Sequence, residues 1–448
     1  MRATTLWRQP RAWMAVIVGG LLASLITLAY IGPAADPQAH LRDLPLVLVN
    51  ADEGAGAGAG AGTGAGAGAG TGAGAGAGGS TVRLGTDLAA RIQAAAREDG
   101  RIAWTLVDSL PAARGLLERG EASGALVIPP DFTRKSLSLA TPGARPERPT
   151  MTVLTNEGAG SVASSMAEKA ARQTAGQASE ALGAQLIARA GATRLGADRL
   201  LLLQDPVRTA TKPGLPTSGA TAGGAMTLYL TIALLLAGLL PAVLLTMTVD
   251  ASLGYSPLEM GPRRSVRPVV RIARTSTFVA KAGIGAVTGF AAGSAVIAVA
   301  LWGLDVEPDR PAQLWLFAGL SCAAVTLLTL ALFAVFGMAG QIVALLMVTL
   351  VGIPLSGGTI PVQAQPGFAA AVGDFLPARH VAEGVRSLLF FDGLGPNLSR
   401  AWLVMGAYAV VAFLVGLVVA RLYDHRGFDR ATAAELARHP QPAVTVTA

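Results

Sequence analysis

The feature that most constrains this chain is a set of uncharged apolar runs of membrane-crossing length. Residues 12–31 read AWMAVIVGGLLASLITLAYI, without a single ionisable acid or base apart from the tyrosine. About 20 such residues in a helix match the hydrocarbon thickness of a bilayer. Further runs lie at 225–249, 278–302, 314–336, 341–355 and 402–423; the run at 341–355 is short and ends near Pro354. Lipid offers no hydrogen-bonding partner to a backbone, so each run is expected to satisfy its own amides as a helix. The expectation is a polytopic α-helical membrane protein. It has six transmembrane helices and an α/β extracytoplasmic domain between the first and second spans.

Composition agrees with lipid as the main partner. Over 448 residues, 52% are hydrophobic and 14% charged, where soluble domains carry about a quarter charged. The net charge of +7 could suit nucleic acid, but aromatics are 5%, too few for a platform on which bases stack. The basic residues gather beside the apolar runs, as they do on cytoplasmic loops. Arg2, Arg8 and Arg11 precede the first run, and Arg263, Arg264, Arg267, Arg271 and Arg274 fill the loop between the second and third. Arg421, Arg426 and Arg430 follow the last, while Asp305, Glu307 and Asp309 make the intervening loop acidic. Both termini are therefore expected in the cytoplasm. The first run is read as an uncleaved anchor. A signal peptide is the rival, since Pro33-Ala34-Ala35 follows, but the run is longer than the core of a cleaved signal. The division expected is residues 1–11 cytoplasmic, 12–31 anchor, 32–222 outside, 223–423 membrane domain and 424–448 cytoplasmic tail.

Residues 32–222 are mostly polar or mixed. Strands are expected at 44–50, 101–107, 124–128 and 151–155, with helices at 84–98, 110–119 and 161–195. That alternation predicts a small layered α/β domain. It is interrupted by a Gly-Ala tract, 54–79, in which Thr63 and Thr71 each replace an alanine. Silk-like sheet packing is one reading. A flexible, dispensable surface insert is the favoured one, because ordering so much glycine costs backbone entropy with little side chain to bury.

No set of residues for catalysis, cofactor or metal binding is evident. There is no G-x-x-x-x-G-K-[ST], so the chain carries no phosphate loop for ATP, and no H-E-x-x-H or G-x-S-x-G. His40, His380, His425 and His439 are scattered, without metal-ligand spacing. Cys322, the single cysteine, lies in an apolar run and reads as a small buried hydrophobe. Asp250 and Lys281, near span ends, read as structural, with the lysine snorkelling to the interface.

Residues 356–393, SGGTIPVQAQPGFAAAVGDFLPARHVAEGVRSLLFFDG, are too polar to span and too apolar for an ordinary loop. Pro361, Pro366 and Pro377 break them into short pieces, as in helices that re-enter a membrane or lie at its outer interface. An amphipathic surface loop is the alternative. A helix at 378–390 would put Val381, Val385, Leu388 and Leu389 on one face. Glu383 and Arg386, at i and i+3, either pair with each other or keep the helix face wet.

The pattern S-G-G-x-x-P, P-x-F, F-L-P-x-x-H-x-x-x-x-x-R, running from Ser356 to Arg386, resembles the outer loop of ABC type-2 permeases. LPLVLVNADEG from Leu44, GALVIPPDF from Gly124 and VLTNEG from Val153 resemble segments of the phage infection protein (Pip) family. The short ectodomain is similar to that family's compact branch, which includes relatives of the fungal nitrosoguanidine resistance protein. The Gly-Ala tract is not part of the family pattern. The resemblance implies a multi-pass permease of the bacterial plasma membrane, homodimeric or heterodimeric, working with a separate ABC ATPase in export. Pro361, Pro377, His380, Glu383 and Arg386 would serve at the outer segment, and Arg263, Arg264, Arg267 and Arg271 at the ATPase. The rival reading is a non-transporting structural or receptor-like component, for example of a type VII secretion apparatus.

Overall fold

The computed structural model describes residues 24, 27–30, 37, 39–55, 82–190, 196–215, 222–255, 258–260, 263–265 and 268–428. The first apolar run, the Gly-Ala tract and the basic tail beyond Phe428 fall mostly or wholly outside these residues. The chain divides into two units: Gln38–Gly224, and Met1–Pro37 with Ala225–Ala448.

The first unit is a five-stranded sheet in the order β2-β1-β3-β4-β5. The strands are β1 (Leu44–Asn50), β2 (Ile102–Val107), β3 (Gly124–Ile128), β4 (Thr150–Thr155) and β5 (Arg208–Pro213). β1 pairs in parallel with both β2 and β3, β3 pairs antiparallel with β4, and β4 pairs in parallel with β5. Central position explains the sequence of β1, LPLVLVN, which is almost continuously buried. The edge strand β2 instead alternates between partly buried and exposed residues.

Helices α1 (Leu84–Asp99), α3 (Phe132–Ala140), α4 (Ser161–Ala190) and α5 (Ala197–Gln204) cover one face around Leu48, Leu126, Phe132 and Met151. α2 (Leu110–Glu118) covers the other face around Val47, Val49 and Leu154. The long α4 has a small-residue stripe, Ala163, Ala167, Ala171, Ala175 and Ala178, that is buried and lets it approach the sheet closely. The strands and helices expected from sequence are all present. β5, α3 and α5 are additional, because their short mixed stretches carry no strong period.

Two motif residues pin this unit at opposite ends of β3. Asp52, 8% exposed, follows β1. Its carboxylate accepts from Gly85 N at 3.0 Å, from Thr133 N at 2.9 Å and from Thr133 Oγ1. Thr133 Oγ1 in turn accepts from Leu84 N at 2.8 Å. One carboxylate thus caps the amide-rich starts of α1 and α3, where negative charge is favoured. Open α/β sheets bind ligands beyond the carboxyl ends of their strands, where the order reverses. Here that position holds the protein's own carboxylate. At the other end, the buried Asn156 Nδ2 donates to Leu117 O at 3.1 Å and Ala122 O at 2.8 Å.

Among the described residues of the second unit, four helices are long and apolar enough to cross a membrane. They are α6 (Met226–Ser252), α7 (Arg274–Gly303), α8 (Pro311–Phe336) and α13 (Leu398–His425). α8 is the most buried of them and packs against the other three. Along α7, Gly285, Gly289 and Gly293 recur every fourth residue toward α8. A Cβ at Gly289 would lie 2.6 Å from Thr326 Oγ1 and 2.9 Å from Ala323 Cα, so only glycine admits this approach. On the α6 side, Thr326 Oγ1 donates to Gly238 O at 2.7 Å and Cys322 Sγ to Leu234 O at 3.1 Å.

The ends of these helices are tied by charge. Asp424 accepts from Arg274 N and Thr275 N, both at 2.8 Å, capping α7. The Arg274 guanidinium lies 5.2 Å from the Tyr423 ring centroid. Lys281 does not snorkel: it is 6% exposed, and its Nζ lies 2.7 Å from Asp250 Oδ1. Between α6 and α7, β6 (Leu258–Met260) and β7 (Arg263–Ser265) form an antiparallel hairpin.

The run expected to span at 341–355 is broken. It consists of α9 (Ala339–Ala344), a π-helical turn (Leu345–Leu350) and α10 (Gly352–Leu355). As one short apolar stretch, Ala339–Leu355, it falls below the length of the four crossing helices.

Candidate functional site

The proline-broken segment after α10 carries a dense set of polar contacts. Pro361 opens a 3-10 turn (Val362–Ala364), Pro366 precedes α11 (Gly367–Asp374), and Pro377 occupies the first turn of α12 (Pro377–Phe390). Each break frees backbone carbonyls that a continuous helix would satisfy. In a water-poor setting those carbonyls need donors.

α12 supplies them. It buries Val381, Val385 and Leu388 as its apolar face requires, and its basic side chains reach back over the broken pieces. Arg379, only 2% exposed, is the hub. Its Nη1 donates to Ala370 O and Asp374 Oδ1, both at 2.7 Å, and its Nη2 to Leu355 O at 3.0 Å and Gln365 Oε1 at 3.1 Å. One planar guanidinium thus joins α10, the 3-10 turn, α11 and α12, a task for which its fork of donors is suited. Space for it comes from Gly373, where any Cβ would collide with Arg379 Nη2. His380 Nε2 lies 3.0 Å from Asp374 O, and Arg386 Nη2 donates to Gly357 O at 2.8 Å.

Further contacts fix the segment to its surroundings. Tyr408 OH on α13 donates to Phe375 O, and Arg400 approaches Asp374 at 3.8 Å. Asn397 Nδ2 donates to Glu383 Oε1 at 3.2 Å. Nearby, Arg310 Nε lies 2.7 Å from Asp392 Oδ1, and that hydrogen bond raises the guanidinium above its ordinary value.

Of the five residues singled out from sequence, Pro361 and Pro377 start the turn and helix they were expected to delimit. His380 and Arg386 act as donors to freed carbonyls. Glu383 and Arg386 do not pair: their side chains diverge, Glu383 toward Asn397 and His380, Arg386 toward Gly357. Arg379, Asp374 and Gln365 were not anticipated. The signal was present, since Arg379 falls on the buried side of a helix whose charged residues would otherwise face water. In the basic loop, Arg271 is exposed. Only the backbone of Arg263 and Arg264 is described, and Arg267 lies outside the described residues.

Residues 12–418 match the family described as ABC-2 family transporter protein. The chain belongs to the ABC-2 transporter family. No curated protein matches it. The match covers residues of both the α/β unit and the helical unit of the ABC-2 transporter. It is a multi-pass membrane protein of permease type, a class that is generally a non-enzymatic membrane subunit acting with an ATPase. The broken segment and its guanidinium hub lie within the matched residues.

Proposed function

We propose that this ABC-2 transporter is the membrane subunit of an exporter powered by a separate ATPase. It has six spans, with both termini on the ATPase side and the α/β unit on the opposite side. The basic loop containing Arg263, Arg264, Arg267 and Arg271 is the ATPase contact, and residues 356–393 cap the far mouth of a pathway formed with a second copy. Arginine-rich loops favour the cytoplasmic side, which supports this orientation. The VNADEG and VLTNEG motifs support placing the chain in the compact branch of the phage infection protein family, since Asp52 and Asn156 from them hold the α/β unit together.

The observation that carries the reading is the buried Arg379 hub. A loop that merely connected two spans would gain nothing from a desolvated guanidinium bonded to two carbonyls and two side chains. Such an investment fits a segment that must hold a fixed, non-helical shape at membrane depth.

The experiment is site-directed photo-crosslinking from Arg271 in cells. The proposal expects an ABC-type ATPase as the captured protein, and co-purified ATPase activity that falls when Arg263, Arg264, Arg267 and Arg271 are replaced together. Labelling of Ser265→Cys by an impermeant thiol reagent in intact cells would contradict the orientation.

A further inference from the structure

α11 turns an apolar face outward. It buries Ala369 and Gly373 and exposes Phe368, Val372 and Phe375, which at i, i+4 and i+7 share one side. Phe375 is 78% exposed. Water is a poor neighbour for so much contiguous apolar surface.

The depth of this face follows from α13. Residues 401–420 carry no charged side chain, about the 20 residues that cross the hydrocarbon of a bilayer. Tyr408 lies seven residues into that run, about 10 Å along the helix axis, and its hydroxyl donates to Phe375 O. A helical side chain leans toward the N-terminus, so the end of α11 sits just inside the apolar layer. Arg400, on the residue before the run, marks the edge of that layer. It stands on the same side of α13 as the exposed Leu403, Ala407, Leu414 and Val418.

The same edge carries an unbalanced charge. Asp374 accepts from Arg379 at 2.7 Å, while Arg400 stays at 3.8 Å, beyond hydrogen-bonding distance. On α12, Arg386 and Glu383 add one charge of each sign, and Arg310 is matched by Asp392. Arg379, Arg386 and Arg400 thus outnumber Asp374 and Glu383, and the surplus falls on Arg400, which is exposed. We propose that Arg400 and the Phe368–Val372–Phe375 face form a seat for an anionic phospholipid. The guanidinium holds the phosphate at the membrane edge. An acyl chain covers the phenylalanines and continues along the exposed stripe of α13. A bilayer supplies both parts at this depth, hydrocarbon beside α11 and phosphate beside Arg400; a water-soluble partner would supply only the second. This holds whichever side of the membrane the segment faces, and it rests on α13 crossing the membrane rather than on export.

The face is tested on the purified full-length protein in nanodiscs of phosphatidylcholine and phosphatidylglycerol, with a nitroxide on Val372→Cys; the native Cys322 is buried. Relaxation by oxygen, which concentrates in hydrocarbon, should exceed relaxation by a water-soluble nickel chelate. Greater access to the nickel chelate would put the face in water, and protection from both would put a second copy over it; either result overturns the proposal. The headgroup is tested by thermal unfolding of unlabelled protein. Adding phosphatidylglycerol to phosphatidylcholine nanodiscs should raise the unfolding temperature by about 2 °C in wild type and by less than half as much in Arg400→Gln. Arg400→Lys, which keeps the charge, should restore most of the rise. No rise in wild type, or an equal rise in Arg400→Gln, contradicts the seat. An equal rise from inorganic phosphate in phosphatidylcholine nanodiscs contradicts it too, because a free anion would then suffice. Capture or loss of an ATPase bears on export and changes none of these outcomes.

Discussion

Arg379 Nη2 donates to the Leu355 carbonyl at 3.0 Å, joining two residues 24 positions apart. α10 ends at Leu355; Ser356 and Thr359 donate to the carbonyls of Ile353 and Pro354, and Arg379 to that of Leu355. Arg379→Met should therefore leave the carbonyls of Leu355 and Ala370 without their donors and destabilise the segment by about 3 kcal/mol. Asp374 is half-exposed, so its share of that loss is small. Arg379→Lys should recover part of the stability, since an ammonium cannot span the same set of acceptors. Gly373→Ala should mimic Arg379→Met by displacing the guanidinium. Thermal unfolding of the purified variants checks all three.

Lys281 is buried and its partner Asp250 half-buried, so the two residues should be non-additive. Asp250→Asn alone removes the carboxylate that faces a buried ammonium and should cost about 3 kcal/mol, and Lys281→Met alone should cost less, because Asp250 is partly exposed. The double variant should be less damaged than the sum of the two. A double-mutant cycle measuring additivity would show instead that each residue acts through separate neighbours.

Asp52 caps two helices at once, so its replacement should cost more than an ordinary capping residue. Asp52→Asn turns one oxygen into a donor facing Gly85 N or Thr133 N and should destabilise the α/β unit by about 2–3 kcal/mol. Thr133→Val, which keeps the backbone bond at 2.9 Å and loses only the hydroxyl, should cost about 1 kcal/mol. Protease sensitivity of the α/β unit in the full chain is the readout, and equal effects would show that the shared carboxylate is not the pin.

The α/β unit was largely legible in the sequence, because alternating strands and helices leave strong periods and β1 is continuously apolar. The four long helices were legible for the same reason. Less could be read where tertiary contacts decide the structure. The π turn at Leu345–Leu350 leaves no local signature in an apolar run, and the α7 glycine ladder has meaning only once α8 lies against it. The prolines pointed to the broken segment, and His380 and Arg386 were marked within it. Arg379 was passed over because a guanidinium reads as a surface residue until the acceptors around it are known. For Glu383 and Arg386 the spacing left pairing and a wetted face open; i,i+3 spacing permits a contact, and tertiary partners, Asn397 for Glu383 and the Gly357 carbonyl for Arg386, take the two side chains apart.

Ala55 and Val82, the described residues on either side of the Gly-Ala tract, form an isolated antiparallel bridge. Ala55 N donates to Val82 O at 2.9 Å and Val82 N to Ala55 O at 3.0 Å, and α1 begins two residues later. Deleting residues 56–77 preserves the bridge with a short glycine-containing loop, and should change stability by less than about 1 kcal/mol. Deleting 54–79 removes Ala55 as well and should cost more. Expression level and unfolding temperature of both deletions test the difference.

The most direct test of the central claim, that α12 holds the broken segment closed through Arg379, is thiol accessibility inside that segment. Gln363 is exposed and Ala364 fully buried in the same 3-10 turn, and the native Cys322 is buried. A water-soluble maleimide should label Gln363→Cys rapidly and Ala364→Cys slowly in the purified transporter, and Arg379→Met should make Ala364→Cys react at a rate approaching that of Gln363→Cys. Unchanged protection of Ala364→Cys in the Arg379→Met background would contradict the account, because the segment would then be held by something other than the guanidinium.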